Sequence, residues 1–428
     1  MKLLFKNATI LMEDWSVLKD AFLGVDGETI CYIGQERPED TYDYEKDMAG
    51  KMLMPGIYNM HAHVPMSILR GIGSGLPLDK WLFDAIFPLE AKFKPEDISV
   101  ATRLNLMEMI STGTVSFTDM YDQTWTILEE VDKAGMKANL CRPIQCFDPS
   151  EKYEDNFRVK ESLKLVQDIK AMNNSKIKGD FSIHAEYTDQ PHIVAAYAEE
   201  CNKLGGRVHL HLSETKKEHE ECKQRYGKTP ARFFYDLGTM ELPVIAAHCV
   251  WVEDEDLDLL KEKGVTCVHN PSSNMKLGSG FMPIQKMVDK GIRVCIGTDG
   301  SASNNNQNMF EEIHMAAVIH KGYHLDPTML EATDLLTMAT VNGAAAQGRE
   351  NCGALKVGYK ADIIAIDMDR PHLMPTHDIP SLLTYSAQGS DVVMTMVDGK
   401  ILYENGVYMT IDFEKVKFDL DASVKRIF

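Results

Sequence analysis

The sequence lacks the features that mark several common classes of protein. Its 428 residues contain no CxxC pair, and its nine cysteines are scattered along the chain. We therefore expect buried free thiols in a reducing compartment, and neither a disulfide framework nor a thiolate metal site. No apolar run reaches the roughly 18 residues that a membrane-spanning helix needs. No Gly-rich loop follows the first central strand, where a doubly wound sheet would be expected to carry one.

Positive charge is scarce as well. The chain has 45 Lys and Arg residues against 64 Asp and Glu residues, which gives a formal net charge of −19. Because nucleic-acid binding depends on basic residues that neutralise phosphates, this balance argues against a nucleic-acid partner.

The N-terminal segment is apolar but does not have the pattern of a signal peptide. Lys6 and Glu13 interrupt it and no small-residue cleavage site follows, so we expect a first strand there. We expect a cytoplasmic protein without a membrane partner.

Strand patterns with hairpin turns occupy both ends of the chain. The turn at Asp26–Gly27 lies near the N-terminus and the turn at Asp398–Gly399 near the C-terminus. A β unit at each end of a long middle region suggests that the termini meet. We therefore expect residues 1–55 and 346–428 to form one small discontinuous β-sandwich domain.

Strand-like runs alternate with helical patterns through residues 56–345. The eight runs are IYNMHAH, GTVSFTDM, KANLCRPI, GDFSIHAEY, GRVHLHLSE, LPVIAAHCV, GVTCVHNP and GIRVCIGTDG. One helical pattern repeats apolar residues at a spacing of three to four: Val194, Tyr197, Cys201 and Leu204. Eightfold alternation predicts a (β/α)8 TIM barrel, with a doubly wound sheet as the alternative.

Polar residues end all eight runs. They are His61, His63, Asp119, Arg142, His184, His211, His248, Asn270 and Asp299. Any one of them could be a capping or turn residue. Because a barrel carries its active site where the strands end, their regular placement indicates a catalytic face.

Two of these residues, His61 and His63, face the same way if they lie on a strand. They could be unrelated polar residues in a turn, or half of a metal site. The fifth run supplies His209 and His211, and we choose His211 because it lies nearer the strand end; His209 is expected to be a core histidine one layer deeper. With Asp299, three histidines leave zinc one position open for water. We expect one divalent ion, Zn²⁺ or alternatively Fe²⁺, because the fourth run contains no lysine that could bridge two metals.

The motifs resemble those of a known family. They are PGxxNxHxHxPMxxLRG around His61, HLHLSET at 209–215, AAHCV around His248, HNPxSNxKLxSG at 269–280 and GTDGxASNN at 297–305. On these motifs the chain resembles the 5′-methylthioadenosine/S-adenosylhomocysteine deaminase family, in the aminohydrolase branch of the amidohydrolase superfamily, and the resemblance covers nearly the whole chain, including the flanking β units. The resemblance implies hydrolytic deamination of an adenosine-type nucleoside, with S-adenosylhomocysteine, 5′-methylthioadenosine, 5′-deoxyadenosine or adenosine as the substrate.

The resemblance also implies catalytic roles. The residue matching Glu214 moves protons between the metal-activated water and a ring nitrogen, and the residue matching His248 orients that water. Asp299 would bind the metal and also accept a proton. From the residues alone, Glu214 could be a solvent-facing loop residue and His248 a structural histidine.

Several substrate contacts are implied in the same way. Trp81 would close over the ligand, and Glu90 would bind the ribose 2′ and 3′ hydroxyls. The alternative for Trp81 is the core of an amphipathic helix, together with Phe83 and Phe87. His184 would contact the purine.

One further contact is implied, and two positions near the pocket depart from the family's pattern. Ser303 would line the substrate pocket, or be a plain loop serine. Where the family has HxPYT, this chain has HAEYT, so Glu186 adds a negative charge near His184. The GSG at 73–75 replaces an acidic pair and affects a lid over the pocket.

Arg142 and Arg158 match arginines that hold the amino-acid carboxylate of S-adenosylhomocysteine in family members. A guanidinium pair suits a carboxylate. The alternative for Arg158 is a surface ion pair, in which case a substrate without a charged 5′ group is expected.

Two other functions remain open. One is an aminohydrolase of guanine, a pterin or a triazine on the same scaffold, for which Glu90 would have no diol to bind. The other is a catalytically silent scaffold protein. We expect a homo-oligomer that binds a small-molecule nucleoside substrate and neither nucleic acid nor a membrane.

Overall fold

The computed structural model describes residues 2–428, which form nineteen strands and sixteen helices. The strands are β1 (Lys2–Leu11), β2 (Val17–Asp26), β3 (Thr29–Gly34), β4 (Tyr44–Asp47), β5 (Lys51–Pro55), β6 (Ile57–His63), β7 (Thr114–Met120), β8 (Lys137–Cys141), β9 (Ile177–Gly179), β10 (Phe181–Ile183), β11 (Val208–Leu212), β12 (Val244–His248), β13 (Thr266–His269), β14 (Val294–Ile296), β15 (Asp299–Gly300), β16 (Ile363–Asp367), β17 (Val392–Val397), β18 (Lys400–Glu404) and β19 (Val407–Tyr408). The helices are α1 (Leu78–Lys80), α2 (Phe87–Glu90), α3 (Pro95–Ser111), α4 (Thr124–Ala134), α5 (Phe157–Met172), α6 (Pro191–Leu204), α7 (Lys216–Tyr226), α8 (Pro230–Asp236), α9 (Asp254–Glu262), α10 (Pro271–Lys276), α11 (Ile284–Asp289), α12 (Met309–His324), α13 (Ala332–Ala339), α14 (Val341–Ala346), α15 (Ile379–Tyr385) and α16 (Phe413–Ile427). In this described part of the chain, no helix combines the length and apolar character needed to cross a bilayer.

The central strands form a parallel barrel. They pair in two groups, β10-β11-β12-β13-β14 and β15-β6-β7-β8-β9. Strands β9 and β10 are two pieces of the fourth barrel strand, and β14 and β15 are two pieces of the eighth, with Asp299 of β15 paired to Ala62 of β6. Every residue of β12 is buried, as expected for a parallel strand covered on both faces. The predicted (β/α)8 TIM barrel is confirmed.

Helix α6 shows how the apolar pattern places a helix on the barrel. Val194, Tyr197 and Cys201 are buried, as the spacing predicts. The helix ends at Leu204, and Gly205 follows with φ at +70°, a conformation that glycine adopts readily. Leu204 itself is 43% exposed, so the predicted buried face stops one turn earlier.

The terminal strands form a separate sheet with its own apolar core. All nine belong to one hydrogen-bonded sheet, in the order β19-β18-β17-β16-β5-β1-β2-β3, with β4 beside β1. The two ends of the chain meet where β16 runs antiparallel to β5. The predicted sandwich is therefore built from one continuous sheet, whose core includes Phe5, Leu23 and Ile363.

The C-terminal helix α16 lies against the barrel and not on the terminal sheet. Arg103 of α3 donates to Asp419 at 2.8 Å, and Lys92 Nζ donates to the carbonyl of Ile427 at 3.0 Å. The division into 1–55 with 346–428, and 56–345, stays a prediction, with α16 as the element that crosses it.

Lys137, the first residue of β8, links the floor of the barrel to the terminal sheet. Its Nζ lies 2.6 Å from Asp398 Oδ1 and also pairs with Asp362. Burial lowers the pKa of Lys137, but these two carboxylates outweigh it and raise the pKa above its ordinary value. The Lys137 side chain is only 3% exposed, and its ammonium group therefore stays charged inside the protein.

Replacing Lys137 by Met is expected to lower the free energy of unfolding by about 3–5 kcal/mol, because two carboxylates are left buried without a cation. Urea unfolding measures this. Lys133→Met is the matched control, because Lys133 is 56% exposed on α4 and should cost at most about 0.5 kcal/mol. Equal unfolding midpoints for the two variants would contradict a structural role for Lys137.

Candidate active site

Four side chains converge at the carboxyl ends of the barrel strands. His61 and His63 lie at the end of β6, His211 near the end of β11, and Asp299 at the start of β15. Asp299 Oδ1 lies 3.4 Å from His61 Nε2 and 3.2 Å from His63 Nε2. Donor atoms of His61, His63 and His211 lie within 4.8 Å of one another, as do those of His61, His248 and Asp299. The structure brings the four predicted metal ligands together and places His248 beside them.

Backbone carbonyls fix the orientation of two of the imidazoles. His63 Nδ1–H donates to the carbonyl of Met120 at 2.5 Å, and His211 Nδ1–H donates to the carbonyl of His184 at 2.8 Å. Because a carbonyl can only accept, the proton of each ring sits on Nδ1. Each Nε2 therefore presents its lone pair to the centre, which is the arrangement that a metal-binding histidine needs.

His209 lies behind His61, at the deeper position that the sequence predicts. Its Nε2 is 3.0 Å from His61 Nδ1, and its Nδ1 is 3.7 Å from Cys141 Sγ. Burial holds the pKa of His209 well below its ordinary value, so the ring is neutral. It can accept from His61 and so hold that ring in the same tautomer as the other two.

Two serines hold Asp299. Ser273 Oγ donates to Asp299 Oδ2 at 2.6 Å and Ser303 Oγ donates to the same oxygen at 2.8 Å. Only Oδ1 is left to face the histidines. Ser303 therefore lies behind Asp299 and is not among the residues that line the cavity, which corrects its predicted place in the substrate pocket. Ser273 belongs to the motif HNPxSNxKLxSG, but the sequence analysis gave it no role.

Burial and the carboxylate of Asp299 act on the pKa values of these histidines in opposite directions. Burial lowers the pKa of His61 to about 4 and that of His211 well below its ordinary value. Burial acts on His63 in the same direction, but contact with Asp299 outweighs it and raises the pKa to about 9. His61 Nε2 is buried and has no hydrogen-bond partner among residues 2–428. Three imidazole nitrogens and one carboxylate oxygen, with one nitrogen unsatisfied, are the donor set of a zinc or iron site.

Glu214 and His248 lie next to this donor set. His248 Nε2 is 3.7 Å from Glu214 Oε2, and Ser279 Oγ donates to Glu214 Oε1 at 3.3 Å. His248 Nδ1 is 2.9 Å from Asn274 Oδ1, which directs Nε2 towards the centre. Burial raises the pKa of Glu214, so this carboxyl group can hold a proton closer to neutral pH than an exposed glutamate.

Glu218, which the sequence analysis did not single out, fixes the position of Glu214. Its Oε1 accepts from the backbone N–H of Ser213 at 2.9 Å and its Oε2 from that of Glu214 at 2.7 Å. Thr215 Oγ1 accepts from the backbone N–H of Glu218 in return. The signal was available, because T-x-x-E before a helix is the sequence of a capping box.

Three residues of the site have a left-handed backbone. The φ angles are +46° at Ser213, +74° at His248 and +62° at Asp299. Side chains other than glycine rarely adopt this conformation, and it persists where the surrounding structure enforces it. Ser213 follows β11, His248 is the last residue of β12 and Asp299 is the first residue of β15, so each unusual conformation lies at a strand end beside the site.

A cavity of about 730 Å³ opens above the four donors. Its lining includes most of the predicted site residues: His63, Trp81, Glu90, Arg142, Arg158, His184, His211, Glu214, His248 and Asp299. The floor is therefore formed by the metal donors and Glu214, and the walls by the predicted substrate contacts.

Trp81 and Glu90 reach the cavity from one helical segment. The segment contains a wide turn, in which the N–H of Phe87 bonds to the carbonyl of Leu82 five residues back. Trp81 is 4% exposed, and its buried Nε1 has no hydrogen-bond partner in the described chain. Phe83 is 50% exposed, so the alternative in which Phe83 belongs to a helix core is wrong.

Glu90 lies on the wall, and the hydroxyl group of Tyr121 donates to its Oε1. Burial raises the pKa of Glu90 to about 7, which the bond from Tyr121 only partly offsets. The carboxyl group can therefore change its charge near neutral pH.

Arg142 and Arg158 both face the cavity but are already ion-paired. Arg142 contacts Asp122 and lies 2.9 Å from Glu161 Oε2. Arg158 Nη1 lies 2.9 Å from Asp122 Oδ1. The sequence analysis missed both carboxylates, because neither ends a strand nor belongs to a recognised motif.

His184 lines the cavity, whereas Glu186 does not. Burial lowers the pKa of His184 to about 3, so the ring is neutral. Glu186 is fully buried on the other side of its turn, where Arg225 Nη2 donates to its Oε1 at 2.5 Å. The negative charge that the sequence places near His184 is thus neutralised outside the cavity.

Comparison with known proteins gives three kinds of likeness. A model described as "Amidohydrolase family" matches residues 52–402. The 5-methylthioadenosine/S-adenosylhomocysteine deaminase of Acetivibrio thermocellus is 43% identical over 440 residues, covering 100% of both chains. The 5′-deoxyadenosine deaminase of Methanosarcina acetivorans is 41% identical over 416 residues, covering 97% of this chain and 95% of its own.

A solved structure is similar over the same length. The crystal structure of an adenosine deaminase from Xanthomonas campestris with bound zinc has a TM-score of 0.93 and 29% sequence identity. The match covers 99% of this chain and 98% of that one.

Proposed function

The chain belongs to the amidohydrolase family, and from this premise we propose that it is a metal-dependent hydrolytic deaminase of adenosine-type nucleosides. The reaction replaces the exocyclic amine at C6 with oxygen, which gives an inosine-type product and ammonia. One observation carries the proposal: Glu214 and His248 lie beside a ring of metal donors, at the floor of a cavity that also contains Glu90. The resemblance inferred from the motifs and the names of the relatives agree.

The donor set supports one ion held by His61, His63, His211 and Asp299. We propose zinc, with iron as the alternative, and one ion rather than two because the fourth barrel strand, FSI, ends without a lysine. When bound, such an ion lowers the pKa of a water molecule from about 15.7 towards about 7 and so supplies a nucleophile at neutral pH.

The side chains of the protein then move the protons. Both protons of the attacking water must leave its oxygen: one goes to N1 of the purine and one to the departing nitrogen. Glu214, whose pKa is raised by burial, can take a proton and deliver it to N1, which makes C6 accept the oxygen. His248 Nε2, directed by Asn274, orients the water, and Asp299 Oδ1 accepts its second proton on the way to the leaving group.

The upper cavity would hold the nucleoside. Glu90 accepts hydrogen bonds from the 2′ and 3′ hydroxyls of the ribose, and Trp81 covers the ligand with its unsatisfied Nε1–H available to an acceptor. His184 contacts the purine as a neutral ring. We further propose a homo-oligomer in the cytoplasm with no nucleic-acid or membrane partner, in keeping with a net charge of −19.

The pH dependence of binding tests the role of Glu90. Its pKa of about 7 means that the carboxylate form dominates above pH 7 and is lost below it. Because the neutral carboxyl group is a weaker acceptor for the diol, KM for adenosine-type nucleosides is expected to rise below pH 7, by up to about tenfold per pH unit. Glu90→Gln should have a high KM that no longer changes between pH 7 and pH 5.5. A wild-type KM that stays constant over this interval would contradict the assignment.

Ammonia release from a panel of substrates tests the function itself. The panel is adenosine, 5′-deoxyadenosine, 5′-methylthioadenosine, S-adenosylhomocysteine, adenine and guanine. We expect turnover of the nucleosides and little of the free bases, because only the nucleosides offer Glu90 a diol. Turnover of guanine alone would favour the second candidate, an aminohydrolase of another heterocycle. A protein that binds no metal and deaminates none of the six would be a silent scaffold.

A further inference from the structure

Ser213, which follows β11 and precedes Glu214, has each of its polar groups bound. Its backbone N–H donates to Glu218 Oε1 at 2.9 Å, and its carbonyl accepts from two backbone N–H groups of the segment after β12, at 3.1 and 2.9 Å. Its hydroxyl oxygen lies 3.2 Å from His219 Nδ1. The φ angle of +46° is unfavourable for a residue with a Cβ and persists only where neighbouring groups enforce it. These bonds therefore hold the turn that directs Glu214.

The ring of His219 lies between Ser213 and a charged carboxylate. His219 belongs to α7, is 2% exposed, and its Nε2 lies 3.1 Å from Glu253 Oε1. Lys223 Nζ donates to the same oxygen at 2.5 Å, and the bonds from Lys223 and His219 lower the pKa of Glu253. A carboxylate can only accept, so in the neutral imidazole the proton sits on Nε2. Nδ1 is then free to accept the hydroxyl hydrogen of Ser213.

The contact between Ser213 and His219 lies behind the cavity. Neither residue is among those that line it, whereas Glu214 is, and Glu214 Oε2 lies 3.7 Å from His248 Nε2. The carbonyl of Ser213 binds the segment that follows His248, so one turn connects the strand ends that carry both groups. A displacement of about 1 Å in a reacting group can cost about a hundredfold in rate. The contact can therefore affect proton transfer without touching the substrate.

We propose that His219 is a positioning residue for the deamination, because it holds the turn at Ser213 and so aims the carboxyl group of Glu214. This role rests on the proposed function, in which Glu214 carries the proton. Glu218 and His219 are neighbours near the start of α7 and bind the same serine, one through its N–H group and the other through its hydroxyl group. Glu253 keeps the ring of His219 in the orientation that this contact needs.

Two substitutions of His219 separate the contact with Ser213 from the packing of the ring. Asparagine places its amide oxygen where Nδ1 lies and can still accept from Ser213, whereas glutamine places its amide group near Nε2 and cannot. We expect kcat for 5′-methylthioadenosine to fall about tenfold in His219→Gln and in Ser213→Ala, and to stay within about threefold of wild type in His219→Asn. KM and the bound zinc should not change. Loss of packing alone would give the opposite order, since glutamine is nearer to histidine in size.

A double variant tests whether both residues act through one contact. Ser213→Ala combined with His219→Gln should lose about tenfold in kcat, like either single variant, and not about a hundredfold. His192→Asn is the matched control, because His192 is exposed on α6 and does not line the cavity; it should keep wild-type kcat and KM. Equal losses in His219→Asn and His219→Gln, losses that multiply, or a raised KM with unchanged kcat would each overturn the role of His219. If a His219 variant does not fold, wild-type kcat in Ser213→Ala overturns it instead.

The turnover of the wild type separates this role from the proposed function. If the wild type deaminates 5′-methylthioadenosine and Ser213→Ala keeps its kcat, only the role of His219 fails. If the wild type deaminates no nucleoside, the proposed function fails, and a crystal structure of zinc-loaded Ser213→Ala tests the positioning by itself. We expect the carboxyl group of Glu214 to move by about 1 Å or more in that structure. A carboxyl group in its wild-type place would overturn the role of His219.

Discussion

Glu214→Gln protein is expected to lose about a thousandfold in kcat and still bind its metal. Glutamine has the size of glutamate but cannot take a proton from water or deliver one to N1, and a positioned acid–base group contributes about 10²–10⁴ in rate. The three histidines and Asp299 that face the centre are untouched, and Glu218 still accepts from the backbone N–H of residue 214. Stopped-time ammonia assays give kcat, and elemental analysis gives the metal content.

The contrast with a neighbouring glutamate makes this result specific. Glu221 lies on α7, seven residues further along, and makes only an exposed pair with Arg225, at 3.3 Å. Glu221→Gln also removes one negative charge, but from the exposed face of α7, and should keep wild-type kcat. If Glu214→Gln retained more than about a tenth of wild-type kcat, another group would have to carry the proton to N1. If it lost its metal, the change in rate would report on the metal site instead.

Strand periodicity explains why so much of the metal centre follows from the sequence. Two histidines two residues apart on a strand must share a face, and the residue nearer the strand end must be the one over the barrel. This distinguishes His211 from His209, which indeed lies one layer deeper against His61. The barrel follows from the eightfold alternation for the same reason: both patterns are local and repeat with a fixed period.

The positions of Ser303, Glu186 and Asp122 in the site depend on the direction that the backbone takes after each strand, which the local sequence does not encode. Ser303 follows Asp299 by four residues, and only the left-handed backbone at Asp299 turns the serine behind the carboxylate instead of into the cavity. Glu186 is two residues from His184, yet a short turn directs it to Arg225. Asp122 contacts Arg142 and Arg158 from positions 20 and 36 residues away, and no periodicity links them.

Removing the metal is expected to abolish deamination completely, and one equivalent of zinc should restore it. The ion lowers the pKa of the attacking water, and no side chain of the site takes over that role when the ion is removed. Treatment with a chelator, dialysis and titration with zinc measure both the loss and the stoichiometry. Recovery that needs two equivalents would contradict the single-ion site. Full activity in metal-free protein would contradict the mechanism.

Asp299→Asn tests the same metal site by changing a ligand instead of removing the ion. Its expected effect follows from the loss of the negative charge of Asp299. Asparagine keeps the shape of the side chain, and its oxygen can still accept from Ser273 and Ser303, but the only anionic ligand is lost. A divalent ion would then sit among three neutral imidazoles in a buried site, with Glu214 as the nearest carboxylate. Replacing a residue that only supports a ligand already weakens metal binding by about 10–100-fold. Loss of the one anionic ligand should therefore weaken zinc binding by at least about a hundredfold, or about 2.7 kcal/mol. Asp254→Asn, an exposed partner of Lys286, is the matched control and should bind zinc like the wild type. If both variants held zinc equally well, the charge of Asp299 would not be what retains the ion, and its low pKa between His61 and His63 would need another explanation.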